Sequence, residues 1–208
     1  MRFSDLGLIY AACVILCQSH ILGMVRCFVA IECGEPEVVK GIVDVQRALG
    51  GSGADMKPVE AENIHLTLKF LGEIDQGKVD EVAEVVKGIG FSPFKFMVEE
   101  VGVFPNLRRP STIWAGITEG VADLSAVFEE LDLKLSKLGF ERERRRFQPH
   151  LTICRVRSGK NRDQLVEELL RVKDTVFGKV SVDRVSLKKS VLTPSGPIYS
   201  TLAESQYS

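Results

Sequence analysis

The tetrapeptide His-x-Thr-x occurs twice in this 208-residue chain, as His65-Leu66-Thr67-Leu68 and as His150-Leu151-Thr152-Ile153, and the two copies use two of its three histidines. Every x position is aliphatic. Successive side chains on a β-strand point to opposite faces. The pattern therefore fits a half-buried strand that sinks a hydrophobic pair and shows an imidazole beside a hydroxyl. One copy would be a weak signal, since Thr is common in strands and a strand histidine is more often structural than chemical. Two copies with the same apolar filling are harder to assign to chance. If the strands face a common cleft, that cleft holds two imidazoles and two hydroxyls, a set suited to proton transfer on a phosphate ester.

The rest of the chain reads as an alternation of strands and amphipathic helices without the regular order of a doubly wound sheet. Strands are expected at 25–31, 57–60, 64–71, 94–104, 112–117, 149–156, 176–187, 190–193 and 198–202. Helices are expected at 35–49, 75–89, 120–138 and 161–172. Pro36 fits a first helical turn, Asp75 an N-cap, and Gly139 a helix stop. Each motif strand lies between two helices, which suggests an internal pseudo-repeat. The expected fold is α+β, with two pseudo-symmetric lobes, each an antiparallel sheet with packed helices, around a central cleft. Residues 24–208 are expected to form this single bilobal domain. Residues 1–23 read as an N-terminal extension, produced by a start upstream of Met24 or forming an arm, with a leader as the alternative. The apolar run Leu6 to Cys17 is too short for a confident membrane span and lacks the flanks of a signal peptide.

Charge and cysteines narrow the function classes. A net charge of −1 gives no global positive field to draw in nucleic acid, so any polyanion must be held by local clusters. The cysteine count of five is odd and no pair has Cys-x-x-Cys spacing, which argues against a disulfide framework and for free thiols in the cytoplasm. The motif histidines have no Cys or carboxylate at ligand spacing, so neither metal nor other cofactor is expected.

Two histidines can divide acid and base duties, one neutral and one protonated near their ordinary pKa of about 6.5. Thr67 and Thr152 can donate to phosphate oxygens. Arg144, Arg145 and Arg146 read equally well as a phosphate grip or as a solvated hairpin neutralised by Glu141 and Glu143. Arg155 has the parity of Leu151 and Ile153, so it reaches the cleft only through a twist, a bulge or its own length. Lys69 shares the parity of His65 and Thr67, as a cleft cation or a rim residue. Phe104, Trp114 and Phe147 are expected in the core, with base stacking as the alternative.

At these motifs the chain resembles the 2H phosphoesterase superfamily, and within it the RNA 2′,3′-cyclic phosphodiesterases, also called 2′-5′ RNA ligases. Supporting segments are Arg26 to Ile31, Asn63 to Gly72, Gly102 to Pro105 and Phe147 to Arg155. The resemblance implies a two-lobed fold with the motifs facing across a cleft. It also implies metal-independent opening of RNA 2′,3′-cyclic phosphate ends to 2′-phosphomonoesters, with reversible 2′-5′ ligation of tRNA halves in some members. Carried over, His65 is the acid that protonates O3′ and His150 the base that activates water. Thr67 and Thr152 hold the phosphate, and Arg155 matches an arginine that follows the second motif. The expected partner is an RNA with a 2′,3′-cyclic phosphate end, tRNA fragments among the candidates, met by a monomer away from membranes. The competing readings are an RNA-end binding module without turnover and a 2H enzyme acting on a small cyclic nucleotide.

Overall fold

The apolar stripes of the sequence become the buried faces of four helices over residues 23–205, which are the residues described by the computed structural model; apart from Gly23, the expected extension lies outside them. Helix α1 (Pro36–Gly50) starts on its proline and buries Val38, Ile42, Val45 and Leu49. Helix α2 (Gln76–Lys87) is capped by Asp75, whose carboxylate accepts the Lys78 N–H at 2.9 Å. Helix α3 (Val121–Ser136) buries Leu124, Val127, Phe128, Leu131 and Leu135. Just beyond it Gly139 takes φ +91°, a left-handed conformation open to glycine. Helix α4 (Arg162–Val172) buries Leu165 and Leu169. No helix among the described residues is long and apolar enough to cross a membrane.

The strands are β1 (Met24–Glu32), β2 (Met56–Pro58), β3 (His65–Asp75), β4 (Phe94–Phe104), β5 (Thr112–Ile117), β6 (His150–Val156), β7 (Val176–Val182), β8 (Ser186–Leu192) and β9 (Pro197–Glu204). They form one antiparallel sheet in the order β7-β4-β5-β6-β3-β1-β8-β9, with β2 also beside β6. The order divides into two lobes. One has β9, β8, β1 and β3 under α2 and α3; the other has β6, β5, β4, β7 and β2 under α1 and α4. They join through a single bridge pair, Leu66 with Leu151. The pseudo-repeat is visible in the helices. In each half, the helix before the motif strand packs on the opposite lobe and the helix after it packs on its own.

The one strand expected over 176–187 is two. Residues 183–185 separate β7 from β8, and no Gly or Pro marks the break. These strands lie near opposite ends of the sheet order, yet four backbone steps span at most about 14 Å. The sheet must therefore curl until its lobes face each other, which makes the cleft.

Candidate active site

The seam between the lobes is also where the motifs meet. Leu66 and Leu151, the second residue of each, form the joining bridge and are both 0% exposed. Continuing that antiparallel register by one residue sets His65 beside Thr152 and Thr67 beside His150. The alternation of a strand then sends both leucines into the core and all four polar side chains to the other face. There they line a cleft of about 970 Å³, together with Arg155, Tyr199, Phe104 and the segment 141–148.

The fourth residue of each motif is a β-bulge. On β3, Thr67 pairs Ala30 and Lys69 pairs Val29, leaving Leu68 without a partner on β1. On β6, Thr152 pairs Trp114 and Cys154 pairs Ile113, leaving Ile153 without one on β5. A bulge reverses the parity of everything after it. Cys154 is thereby buried and Arg155 exposed on the cleft, the condition under which Arg155 could serve the site. On β3 the same shift corrects the parity expected for Lys69, which nonetheless still lines the cleft. It leaves the His–Thr row, is 10% exposed, and gives its ammonium to Asp132 of α3 and to the Glu141 carbonyl. Phe70 takes the position equivalent to Arg155 and stands 67% exposed beside the cleft.

Both imidazoles are held in the same way. His65 Nδ1 is 2.7 Å from the Asn63 carbonyl and His150 Nδ1 is 2.8 Å from the Gln148 carbonyl, in each case two residues back. A carbonyl only accepts, so each Nδ1 carries the proton and donates it, and each neutral ring keeps Nε2 as the nitrogen available to a ligand. Aromatic rings steady them edge-on. Tyr199 stands at 90° to His65 with centroids 5.5 Å apart, and Phe104 at 82° to His150 with centroids 5.1 Å apart. The environments differ. Burial lowers the His65 pKa, and the cations Lys188 and Arg155 push the same way, against the Asn63 hydrogen bond and Glu32.

Phe104 is thus a cleft residue rather than a core one. Trp114 lies against it, 5.2 Å between centroids, and closes over Gly102, where an added Cβ would fall 2.1 Å from the indole. Phe147 stacks flat on Phe128 at the cleft wall. Arg144, Arg145 and Arg146 all line the cleft, with Arg144 also paired to Glu141 at 2.8 Å. Tyr199, Phe28, Phe70 and Asp132 were not anticipated from sequence. Asp132 did leave a signal, since it sits in the row Leu124, Phe128, Asp132, where the helix period demands an apolar residue. Among the described residues no group of three or more His, Cys, Asp or Glu is placed to hold a metal ion.

The model of the LigT-like phosphoesterase family matches residues 33–114 and 116–199, so that each matched segment contains one motif. The chain is 38% identical over 184 residues to the RNA 2′,3′-cyclic phosphodiesterase of Methanothermobacter thermautotrophicus, covering 86% of this chain and 96% of the relative. It is 38% identical over 185 residues to the protein of the same name from Thermotoga maritima, covering 88% and 95%. Among solved structures, a Thermus thermophilus protein superposes with TM-score 0.72 at 25% identity, covering 86% of this chain and 96% of that one. Escherichia coli LigT complexed with 3′-AMP superposes with TM-score 0.70 at 24% identity, covering 87% and 97%, which speaks to the fold.

Proposed function

We propose that this chain, which belongs to the LigT-like phosphoesterase family, opens the 2′,3′-cyclic phosphate at the end of an RNA to a 2′-phosphomonoester, without metal, by dividing acid and base duties between His65 and His150. RNA 2′,3′-cyclic phosphodiesterase activity is the activity its relatives are named for. The observation that carries the two-histidine reading is the pair of imidazoles in one cleft, each with Nδ1 committed to a backbone carbonyl and Nε2 left for substrate.

In the proposed reaction the Thr67 and Thr152 hydroxyls donate to the non-bridging phosphate oxygens, and Arg155 balances their charge. His150 Nε2 takes a proton from a water molecule as the water oxygen attacks phosphorus. The P–O3′ bond breaks and protonated His65 gives its proton to O3′. One water is consumed, His150 ends protonated and His65 neutral, and exchange with solvent restores both. The acid role needs a proton on a ring whose pKa is lowered by burial and by two cations. The anionic substrate works against part of that lowering, since it offsets Lys188 and Arg155. A 5′-hydroxyl of a second RNA in the place of water would give a 2′-5′ linkage by the same steps, which extends the proposal to tRNA fragments. The proposal includes a monomer in the cytoplasm, in keeping with Cys27, Cys33 and Cys154 as buried free thiols among the described residues.

The test is hydrolysis, in EDTA, of an oligoribonucleotide ending in a 2′,3′-cyclic phosphate, with wild type against His65→Ala and His150→Ala. A 2′-phosphate product lost in both variants, with binding retained, supports the reading. Turnover indifferent to either histidine, or a 3′-phosphate product, sinks it. Binding without turnover in the wild type leaves an RNA-end binding module.

A further inference from the structure

We infer that the segment 141–146 is a second binding element, which grips the phosphodiester backbone of single-stranded RNA upstream of the reacting end, and that buried Asp132 is the positioning residue that holds it at the cleft. The inference rests on the reading of the chain as an RNA-end hydrolase.

Helix α3 clamps this segment at both ends. At the near end Asp132, 2% exposed, accepts from Lys69 Nζ, from Arg142 Nε at 3.1 Å and from the Glu143 N–H at 3.3 Å. Lys69 adds a 2.7 Å bond to the Glu141 carbonyl, tying the segment to the first motif strand. At the far end Phe147 stacks on Phe128, 4.3 Å between centroids and 2° between planes. Phe128 and Asp132 are one helical turn apart. Although burial pushes its pKa up, the bonds from Lys69, Arg142 and Glu143 hold the Asp132 carboxyl below its ordinary value. A carboxylate is retained in such a place only when fully partnered, since removing one partner leaves an uncompensated charge.

Between the clamps stand Arg144, Arg145 and Arg146, exposed and lining the cleft. Four arginines against two glutamates give the segment a net charge of +2 in a chain of net charge −1. Arg142 is spent on Asp132, and Arg144 faces Glu141 in an exposed pair of little strength. Arg145 and Arg146 make no ion pair among the described residues. The reacting phosphate is already served by the strand face. Guanidinium forks fixed elsewhere on the cleft wall suit further phosphates. A mononucleotide has none to offer, and an oligonucleotide does.

The experiment measures the affinity of a labelled short oligoribonucleotide with a 2′-phosphate end, and of a nucleoside 2′-monophosphate, across a range of salt. Arg145→Ala/Arg146→Ala should weaken the oligonucleotide about tenfold and flatten its log K against log salt slope by about 1.4, roughly 0.7 for each phosphate no longer neutralised. The mononucleotide should be unaffected, and the double lysine variant should keep most of the slope. Asp132→Asn should show the same split with a smaller loss. Arg142→Ala, which removes one tether at a 56% exposed side chain, should do so too and stands in should Asp132→Asn fail to fold. Equal losses on both ligands, or tighter oligonucleotide binding by Asp132→Asn, would overturn the inference. A wild type that binds the oligonucleotide with this slope yet never opens a cyclic end would sink the hydrolase reading and leave the binding element standing.

Discussion

The two motif strands share a backbone frame and differ in what surrounds it. Each presents His, a buried leucine, Thr and a bulged aliphatic residue, and each imidazole gives Nδ1 to the carbonyl two residues back. After the bulge the halves diverge: β3 offers Phe70 to the cleft, and β6 offers Arg155. Around His65 lie Phe28 and Tyr199, with Lys188 bound to Glu32 nearby. His150 instead meets Phe104 and Trp114 and lies just after the arginine segment. The comparison separates two causes. The repeated frame fixes which nitrogen is left free of the backbone, while the unrepeated neighbours lower the pKa of His65 and set a guanidinium after the second motif alone.

The largest expected effects are symmetric ones. His65→Ala and His150→Ala should each cut hydrolysis by about 10²–10⁴-fold, and a large inequality between them would break the paired reading. Leu66→Ala and Leu151→Ala delete the two sides of one buried bridge. Each should cost about 2–5 kcal/mol in denaturant unfolding, and a loss confined to one of them would mean the seam is not shared.

Smaller effects should be asymmetric. Arg155→Ala should lower kcat/KM by about 1.5–3 kcal/mol in transition-state terms, as expected for a charge-assisted bond. Phe70→Ala, its counterpart on β3, removes a stacking face and should weaken oligonucleotide binding by about 1–3 kcal/mol per unstacked base without altering its salt slope. A changed slope there would contradict the division of labour. Lys188→Met should raise the His65 pKa, because it removes a cation that lowers it; an NMR titration reads this directly. The same shift has a stability consequence. The unfolded ring titrates near 6.5 and the folded one lower, so stability falls as pH drops from about 6.5 through the folded value. His65→Asn should remove that component.

Much of this was legible because local pattern and tertiary role agree. The helices followed their apolar rows, Pro36 and Asp75 marked helix starts, and the two motif strands announced themselves by alternation. What sequence could not show depends on pairing partners from far along the chain. The bulges at Leu68 and Ile153 arise from pairing with β1 and β5, so the fates of Lys69 and Arg155 could only be posed as alternatives. Tyr199 reaches His65 from β9 of the same lobe, beside Phe28 of β1, across 134 positions of sequence. The break between β7 and β8 carries neither Gly nor Pro and only Asp183 as a turn former, too weak a local signal to interrupt an apolar run.

The most direct test of the shared frame with unshared neighbours is a ¹⁵N NMR titration of the histidine rings, assigned with His65→Asn and His150→Asn. Both neutral rings should carry their proton on Nδ1, and His65 should titrate below its ordinary value, then move up when a nucleoside 2′-monophosphate is bound. An Nε2-protonated tautomer at either motif histidine, or a His65 that titrates above the ordinary value in the free protein, would contradict the account.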